Sequence, residues 1–157
     1  MNELSSLGAA NASFGIDLYK IMAAEAGNVT VAPASISTAL AMTYAGARGT
    51  TATEMAAALR FDKLPTHAPD SAEFHKQFGS LLSALGDGDA VELSVANRLW
   101  GQKDIAFIDA FVAQTRTDYG AEMARVDFRT KSEEIRKTIN AWIAEQTKNK
   151  IPELIRP

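Results

Sequence analysis

Cysteine is absent from this chain of 157 residues, and histidine occurs only twice. The absence of cysteine excludes a disulfide framework, a thiolate metal site and a cysteine nucleophile. His67 lies in a loop close to a proline, and His75 is predicted on the polar side of a helix, so neither belongs to a catalytic or metal-binding pattern. The sequence therefore predicts that the protein is not an enzyme and binds neither a metal nor a cofactor.

A basic charge and a long apolar run are also lacking. The formal net charge is −3, and without a basic field nucleic acid is not expected as a partner. No run of about 18 apolar residues occurs, which excludes a membrane-spanning helix, and no membrane partner is expected. The first residues lack the basic and apolar regions of a secretory signal. The compartment stays open between the cytoplasm and secretion after processing.

What is present is a globular composition, with 46% hydrophobic and 22% charged residues. The length is sufficient for one ordinary domain with its own core. No internal repeat and no linker interrupts the chain. We therefore expect a single domain over residues 1–157.

The rest of the chain is organised around one stretch, Asn28 to Phe61. Alternating apolar residues predict a short strand over Asn28–Ala32. A helix over Ser35–Ala45 follows a proline and is apolar or small around nearly its whole circumference, which is typical of a helix inside a core. Thr51 and Glu54 are spaced as a capping box that would open a second helix.

Hydrophobic periodicity predicts the remaining elements. Four further helices and two further strands are expected, with Gly120 and Asn149 as left-handed stops and a capping box, Thr130 with Glu133, at the start of the last helix. The predicted helices are Asn11–Ala26, Asp70–Leu85, Ile105–Tyr119 and Glu133–Lys148, and the predicted strands are Val91–Trp100 and Ala121–Phe128.

The stretch from Asn28 to Phe61 carries a family resemblance. It resembles the amino-terminal signature of the serpins, the serine-protease-inhibitor superfamily. The matching residues are Asn28, Pro33, Ser35, Ile36, Ala39, Leu40, Gly46, Ala47, Gly49, Thr51, Glu54, Met55, Leu59 and Phe61. The chain departs from the family at Ala32, where serpins usually have serine. Further matches follow in order along the chain: Ser94–Trp100, Tyr119–Ala121, Val126–Phe128, Ile139–Ile143 and Thr147–Ile151.

The resemblance implies a mixed α+β fold, the N-terminal half of a serpin, with helices A–F and the first strands of sheets A and B. It also implies that residues 1–157 are an incomplete domain without the reactive-centre loop. Complete serpins inhibit serine or cysteine proteases when that loop, once cut, inserts as a new strand into sheet A. The alternative is a non-inhibitory or truncated serpin-like module for binding or assembly.

The resemblance also assigns two candidate regions that govern sheet opening, and no reactive centre. The first, the shutter region, comprises Asn28, Ala32, Pro33 and Ser35. The second comprises a sheet-A strand and the helix that covers it, and its residues are Asn97, Asn140 and Trp142.

Partners follow from the same reasoning. The implied partner is a target protease, whose recognition needs the C-terminal part. Two paired strands and one lone strand make poor sheets, so we expect exposed apolar surface and an open strand edge. These would favour a complementary C-terminal serpin segment or self-association. Heparin is not expected, because the helix over Asp70–Leu85 carries Lys76 as its one strong base.

Overall fold

Six α-helices, one short 3-10 turn and two β-strands form in this computed structural model, which describes residues 3–24, 27–86 and 95–157. The mixed architecture confirms the predicted α+β class. The chain divides into two compact units, Met1–Ala84 and Leu85–Pro157. The elements are α1 (Glu3–Met22), α2 (Pro33–Tyr44), α3 (Gly49–Ala58), the 3-10 turn (Phe61–Lys63), α4 (Ala72–Gly86), β1 (Leu99–Gln102), α5 (Asp109–Tyr119), β2 (Met123–Val126) and α6 (Phe128–Gln146).

The core of the first unit is a cluster of four aromatic rings, Tyr44, Phe61, Phe74 and Phe78. Each of these side chains is at most 2% exposed. Phe61 and Phe74 meet edge to face with their centroids 4.9 Å apart. Such pairs contribute roughly 0.5–1.5 kcal/mol beyond the area that they bury. The cluster therefore joins α2, the 3-10 turn and α4.

His75 belongs to this core, and its prediction on a polar face was wrong. The residue is fully buried, its ring meets Phe74 edge to face, and its Nε2 lies 2.8 Å from the carbonyl oxygen of Pro69. A histidine can enter a core when its ring nitrogen finds such a partner, because burying an unpaired polar group is costly.

The second unit is built on a parallel pair of strands. Leu99 is in register with Met123, and Gln102 with Val126. The helix α5 forms the crossover between them, as a parallel pair requires. The predicted pairing of the two sequence segments is confirmed for the described residues. Residues 95–98 are irregular, whereas positions 91–94 of the predicted strand lie outside the described residues.

Three strand predictions need correction. Gly101 and Gln102, which lie beyond the predicted end of the strand at Trp100, continue β1. The strand of 121–128 is shorter, Met123–Val126. Residues 28–32 form no strand at all. Alternation of apolar residues describes a segment suited to pairing, but a strand exists only where another strand supplies hydrogen bonds, and no described residue does so here.

The helix starts were the least accurate predictions. α1 begins at Glu3 and ends at Met22, and α5 begins at Asp109. Neither capping box forms: α3 starts after Arg48 without a side-chain cap, and Asp127 caps α6. At the start of α4 the Ser71 hydroxyl oxygen caps the helix by accepting a hydrogen bond from the Phe74 N–H.

Two of the predicted helix stops are confirmed. Gly120 and Asn149 both have left-handed φ angles, 63° and 60°. Within the described residues, no helix combines the length and the apolar character needed to cross a bilayer. The single domain over residues 1–157 stays a prediction.

Candidate functional site

The shutter region lies where the irregular segment enters α2. Pro33 is the first residue of the helix, where its missing N–H costs nothing. Ala32 occupies the N-cap position and makes no side-chain cap, although its carbonyl accepts from the Ile36 N–H at 3.1 Å. Asn28 and Ser35 are both exposed. Ala32, Pro33 and Ser35 thus lie at the start of α2, and Asn28 lies four residues before Ala32 in the irregular segment.

Pro33 fixes how closely α1 approaches this helix start. A Cβ atom placed on Gly15 of α1 would lie 2.5 Å from Cγ of Pro33 and 2.9 Å from its Cβ. Both distances are shorter than carbon atoms tolerate, so the two backbones approach as they do because position 15 has no side chain. The contact holds the first turn of α2 against α1.

The buried hydroxyls of α2 belong to residues outside the family signature. Ser35 is exposed, whereas Ser37 and Thr38 are each 1% exposed. Ser37 Oγ donates to Asn11 Oδ1 on α1 at 3.2 Å, and Thr38 Oγ1 donates to the Ala34 carbonyl at 2.7 Å. Sequence reasoning missed Ser37 and Asn11.

The spacing of residues in α2 indicates which of its faces is buried. The buried residues that recur at helical spacing are Ser37, Thr38, Ala41, Met42 and Ala45. The opposite side is open, since Ala39 is exposed and Leu40 is 38% exposed. The prediction that the helix is buried all round was therefore wrong for the described residues, because small or apolar residues permit burial without requiring a neighbour.

The second region joins β1 to α6 through two tryptophans. The rings of Trp100 and Trp142 meet edge to face with centroids 6.2 Å apart. The Arg98 guanidinium stacks over both, 4.8 Å from the Trp100 ring and 5.7 Å from the Trp142 ring. Asn97 is half-buried in the irregular segment immediately before. Trp142 therefore anchors the covering helix on the strand, as cation–π and aromatic contacts of this kind are attractive.

Asn140 performs a different task on the same helix. It is 7% exposed, and its Nδ2 donates to the Ile155 carbonyl at 2.8 Å. Its Oδ1 accepts from the backbone N–H groups of Leu154, at 3.0 Å, and of Ile155, at 2.9 Å. One amide thus satisfies three backbone groups of the segment that follows α6.

Arg136, one turn earlier, holds the same segment. Its Nη1 donates to Glu153 Oε1 and to the Ile155 carbonyl, both at 2.9 Å. Its Nε and Nη2 donate to the two carboxylate oxygens of Glu133, each at 2.8 Å. The hydrogen bond to Glu133, then that to Glu153, raises the pKa of Arg136. Arg136 and Asn140 form what we call the α6 clamp on residues 153–155.

The start of α6 is tied to the end of β1. Asp127 accepts from the backbone N–H groups of Arg129 and Thr130 and from the Thr130 hydroxyl. Lys103 Nζ lies 2.9 Å from the same carboxylate. The hydrogen bonds from Lys103 and then from Thr130 lower the pKa of Asp127 well below its usual range. A second pair, Arg129 with Asp104, spans the same junction.

These arrangements position backbone; they do not assemble a reaction centre. Within residues 3–24, 27–86 and 95–157, no group of three or more metal-ligating side chains converges. His67 Nδ1 lies 2.9 Å from the Leu64 carbonyl, which is a structural contact. What the two regions provide is contact: α1 packs against α2 in one unit, and α6 packs on β1 in the other.

Comparison with known proteins shows which family has this sequence and fold. A family model described as "Serpin (serine protease inhibitor)" matches residues 9–157. Leukocyte elastase inhibitor from Sus scrofa is 43% identical over 155 residues, and that from Homo sapiens is 40% identical over 158 residues. These alignments cover 97% and 99% of this chain but 39% of each relative.

A solved structure supports the same family. The crystal structure of uncleaved ovalbumin superimposes with a TM-score of 0.84 at 28% identity, over 97% of this chain and 40% of that one. The chain thus spans about two fifths of the length of the relatives and structure that it matches, and its elements correspond to the N-terminal part of their fold. This chain belongs to the serpin family.

Proposed function

We propose that the whole protein is a suicide-type inhibitor of serine or cysteine proteases, which acts by inserting its cut reactive loop into sheet A. The observation that supports this most directly is the parallel β1–β2 pair with α6 anchored on β1 through Trp100 and Trp142. A further strand can join such a sheet through backbone hydrogen bonds, and a covering helix that yields would admit it.

The first target to test is an elastase-like serine protease, since the relatives named above are leukocyte elastase inhibitors. The longest chain that the gene encodes is incubated with elastase and, in parallel, with trypsin-, chymotrypsin- and subtilisin-like enzymes. An adduct that resists SDS is the expected result, with the mass of both proteins less the C-terminal fragment that leaves when the protease is acylated. Elastase whose catalytic serine is replaced by alanine is the control and should form none.

Cleavage of the chain without any adduct would contradict inhibition and would favour the alternative, a non-inhibitory serpin-like module. An inhibitor and a substrate differ in which step is faster, insertion of the loop or hydrolysis of the acyl-enzyme. An inhibitor inserts its loop before the acyl-enzyme is hydrolysed, whereas a substrate releases the enzyme intact.

Association is a second proposed property, supported by exposed apolar side chains. Ile21 and Ile108 are each 73% exposed, and Leu154 is 62% exposed. A complementary serpin segment or a second copy would cover such surface and pair the open edge of β1. Sedimentation of residues 1–157 over a hundredfold range of concentration tests this. A monomer throughout would contradict self-association, and mixing with a peptide spanning the remaining serpin strands then tests the segment.

A further inference from the structure

A pocket of about 300 Å³ opens between the start of β1 and the last turns of α6. It lies wholly within the second unit. Its floor and walls include both polar and aromatic side chains, which distinguishes it from a simple gap in apolar packing. The residues that define it are Asn97, Arg98, Tyr119, Glu122, Trp142 and Gln146.

Arg98 is the chemically distinctive member of this lining. Its guanidinium is stacked on the Trp100 and Trp142 rings, which fixes its position. Its Nε is buried and has no hydrogen-bond partner within the described part of the chain. Because Arg98 lines the pocket, an anion that reaches the accessible part of its guanidinium there would be stabilised.

The charge of Arg98 indicates which acceptor fits. No described carboxylate forms an ion pair with this guanidinium. A carboxylate presents two oxygens in the geometry that a guanidinium fork matches. Trp142 also lines the pocket, and an aromatic body behind that carboxylate would bury apolar area against its indole.

We propose that this pocket binds a small aryl carboxylate, with its carboxylate on Arg98 and its ring against Trp142. The site stands apart from protease inhibition and needs no part of the reactive loop. The exposed Glu122 at the rim carries the same charge as the ligand, so it weakens binding without blocking it.

The test uses benzoate as the probe and benzamide, its neutral isostere, as the matched control. The chain has two tryptophans, and both, Trp100 and Trp142, contact the Arg98 guanidinium. Two indole N–H signals in a ¹H–¹⁵N spectrum therefore report directly on the site, and the variant Trp100→Phe assigns them. At constant ionic strength, we expect saturable shifts of the Trp142 signal with benzoate at roughly millimolar concentration.

Variants then test the role of Arg98. Arg98→Met should weaken benzoate binding by about tenfold, because a charge-assisted hydrogen bond is lost. Arg125→Met is the matched control, since Arg125 also stacks on an aromatic ring, 4.7 Å from that of Phe107, but does not line the pocket. Glu122→Gln should tighten binding by about threefold.

The proposal is overturned if benzamide binds as well as benzoate, since the pocket would then suit a neutral carbonyl such as that of another polypeptide segment. This arm uses the unaltered chain, so it stands even if Arg98→Met fails to fold. Equal binding by the folded Arg98→Met variant, or the absence of any saturable indole shift, overturns it too.

Discussion

Asn140 makes two hydrogen bonds to the backbone of Ile155, donating to its carbonyl at 2.8 Å and accepting from its N–H at 2.9 Å. The last six residues of α6, 141–146, and an irregular segment separate the two residues, so this contact decides the direction in which the chain leaves α6. With Arg136 it completes the α6 clamp. Under the proposed mechanism, in which α6 yields during loop insertion, such a clamp would set part of the resistance.

Removal of the Asn140 amide should loosen the segment after α6. Asn140→Ala is expected to lower the free energy of unfolding by about 1–2 kcal/mol, since three hydrogen bonds are lost while water partly replaces them at the exposed backbone. Urea unfolding measures the change, and hydrogen exchange should accelerate at the Leu154 and Ile155 amides. Thr138→Ala, at an exposed position of α6, is the control. Unaltered exchange at both amides would refute the clamp.

The contact between Gly15 and Pro33 predicts opposite effects for two glycines of α1. Gly15→Ala should lower the free energy of unfolding by about 1–2 kcal/mol, because the rigid proline ring leaves no space for a Cβ atom. Gly8→Ala should raise it by about 0.5–1 kcal/mol, because nothing lies within 4 Å of that position and alanine favours the helix. Thermal unfolding followed by circular dichroism distinguishes them. Stabilisation by both substitutions would disprove the close approach.

The carboxylate of Asp127 should give the stability of the protein an acid dependence. Its pKa is lowered in the folded state, first by the hydrogen bond from Lys103 and then by those from Thr130. A lowered pKa stabilises the fold above the unfolded value of about 3.9, and that stabilisation is lost as the pH falls through the folded pKa.

Asp127→Asn should therefore be less stable than the wild type at pH 7, and the difference should shrink as the pH falls below about 4. Denaturant unfolding between pH 7 and pH 2 measures it. Lys103→Met supplies the reciprocal test, since loss of that hydrogen bond should move the pKa of Asp127 upward. A constant difference between wild type and Asp127→Asn at every pH would exclude this linkage.

Tyr44 links the aromatic core to the loop before α4. Its hydroxyl donates to the His67 carbonyl at 2.6 Å, and the residue is 2% exposed. Tyr44→Phe should lower the free energy of unfolding by about 1 kcal/mol, because the part-buried His67 carbonyl loses this donor while the ring packing is retained. Tyr19→Phe, at a position 51% exposed, should change little. Equal stability of both variants in urea unfolding would argue against this hydrogen bond.

Local chemistry made part of this architecture predictable. Gly120 ends α5 in a left-handed conformation, as expected of a residue without a Cβ atom. The alternating segments at 91–100 and 121–128 pair as expected where the structure describes them, because apolar alternation marks the two faces of a sheet. The family signature spread over most of the chain is matched by the family model. The assigned roles of Asn28, Ala32, Pro33, Ser35, Asn97, Asn140 and Trp142 stay predictions.

Features that depend on distant neighbours were not predictable in the same way. Thr130 and Glu133 have the spacing of a capping box, yet Asp127 takes the cap, and the same carboxylate is paired with Lys103 from the end of β1. Ser35 matches the signature and is exposed, whereas Ser37 is buried because Asn11 of α1 faces it. His75 is polar by type and buried because the Pro69 carbonyl is within reach of its ring.

The sequence by itself determined the presence of six helices, the two segments that pair, two helix stops and the family, because each depends on patterns among residues close together in the chain. Only the tertiary structure decided which hydroxyl is buried, that Lys103 pairs with the carboxylate capping α6, and that Asn140 binds the backbone after its own helix. These depend on partners brought close by folding, and the free energy of a hydrogen bond or a buried charge is set by the neighbour and not by the residue alone.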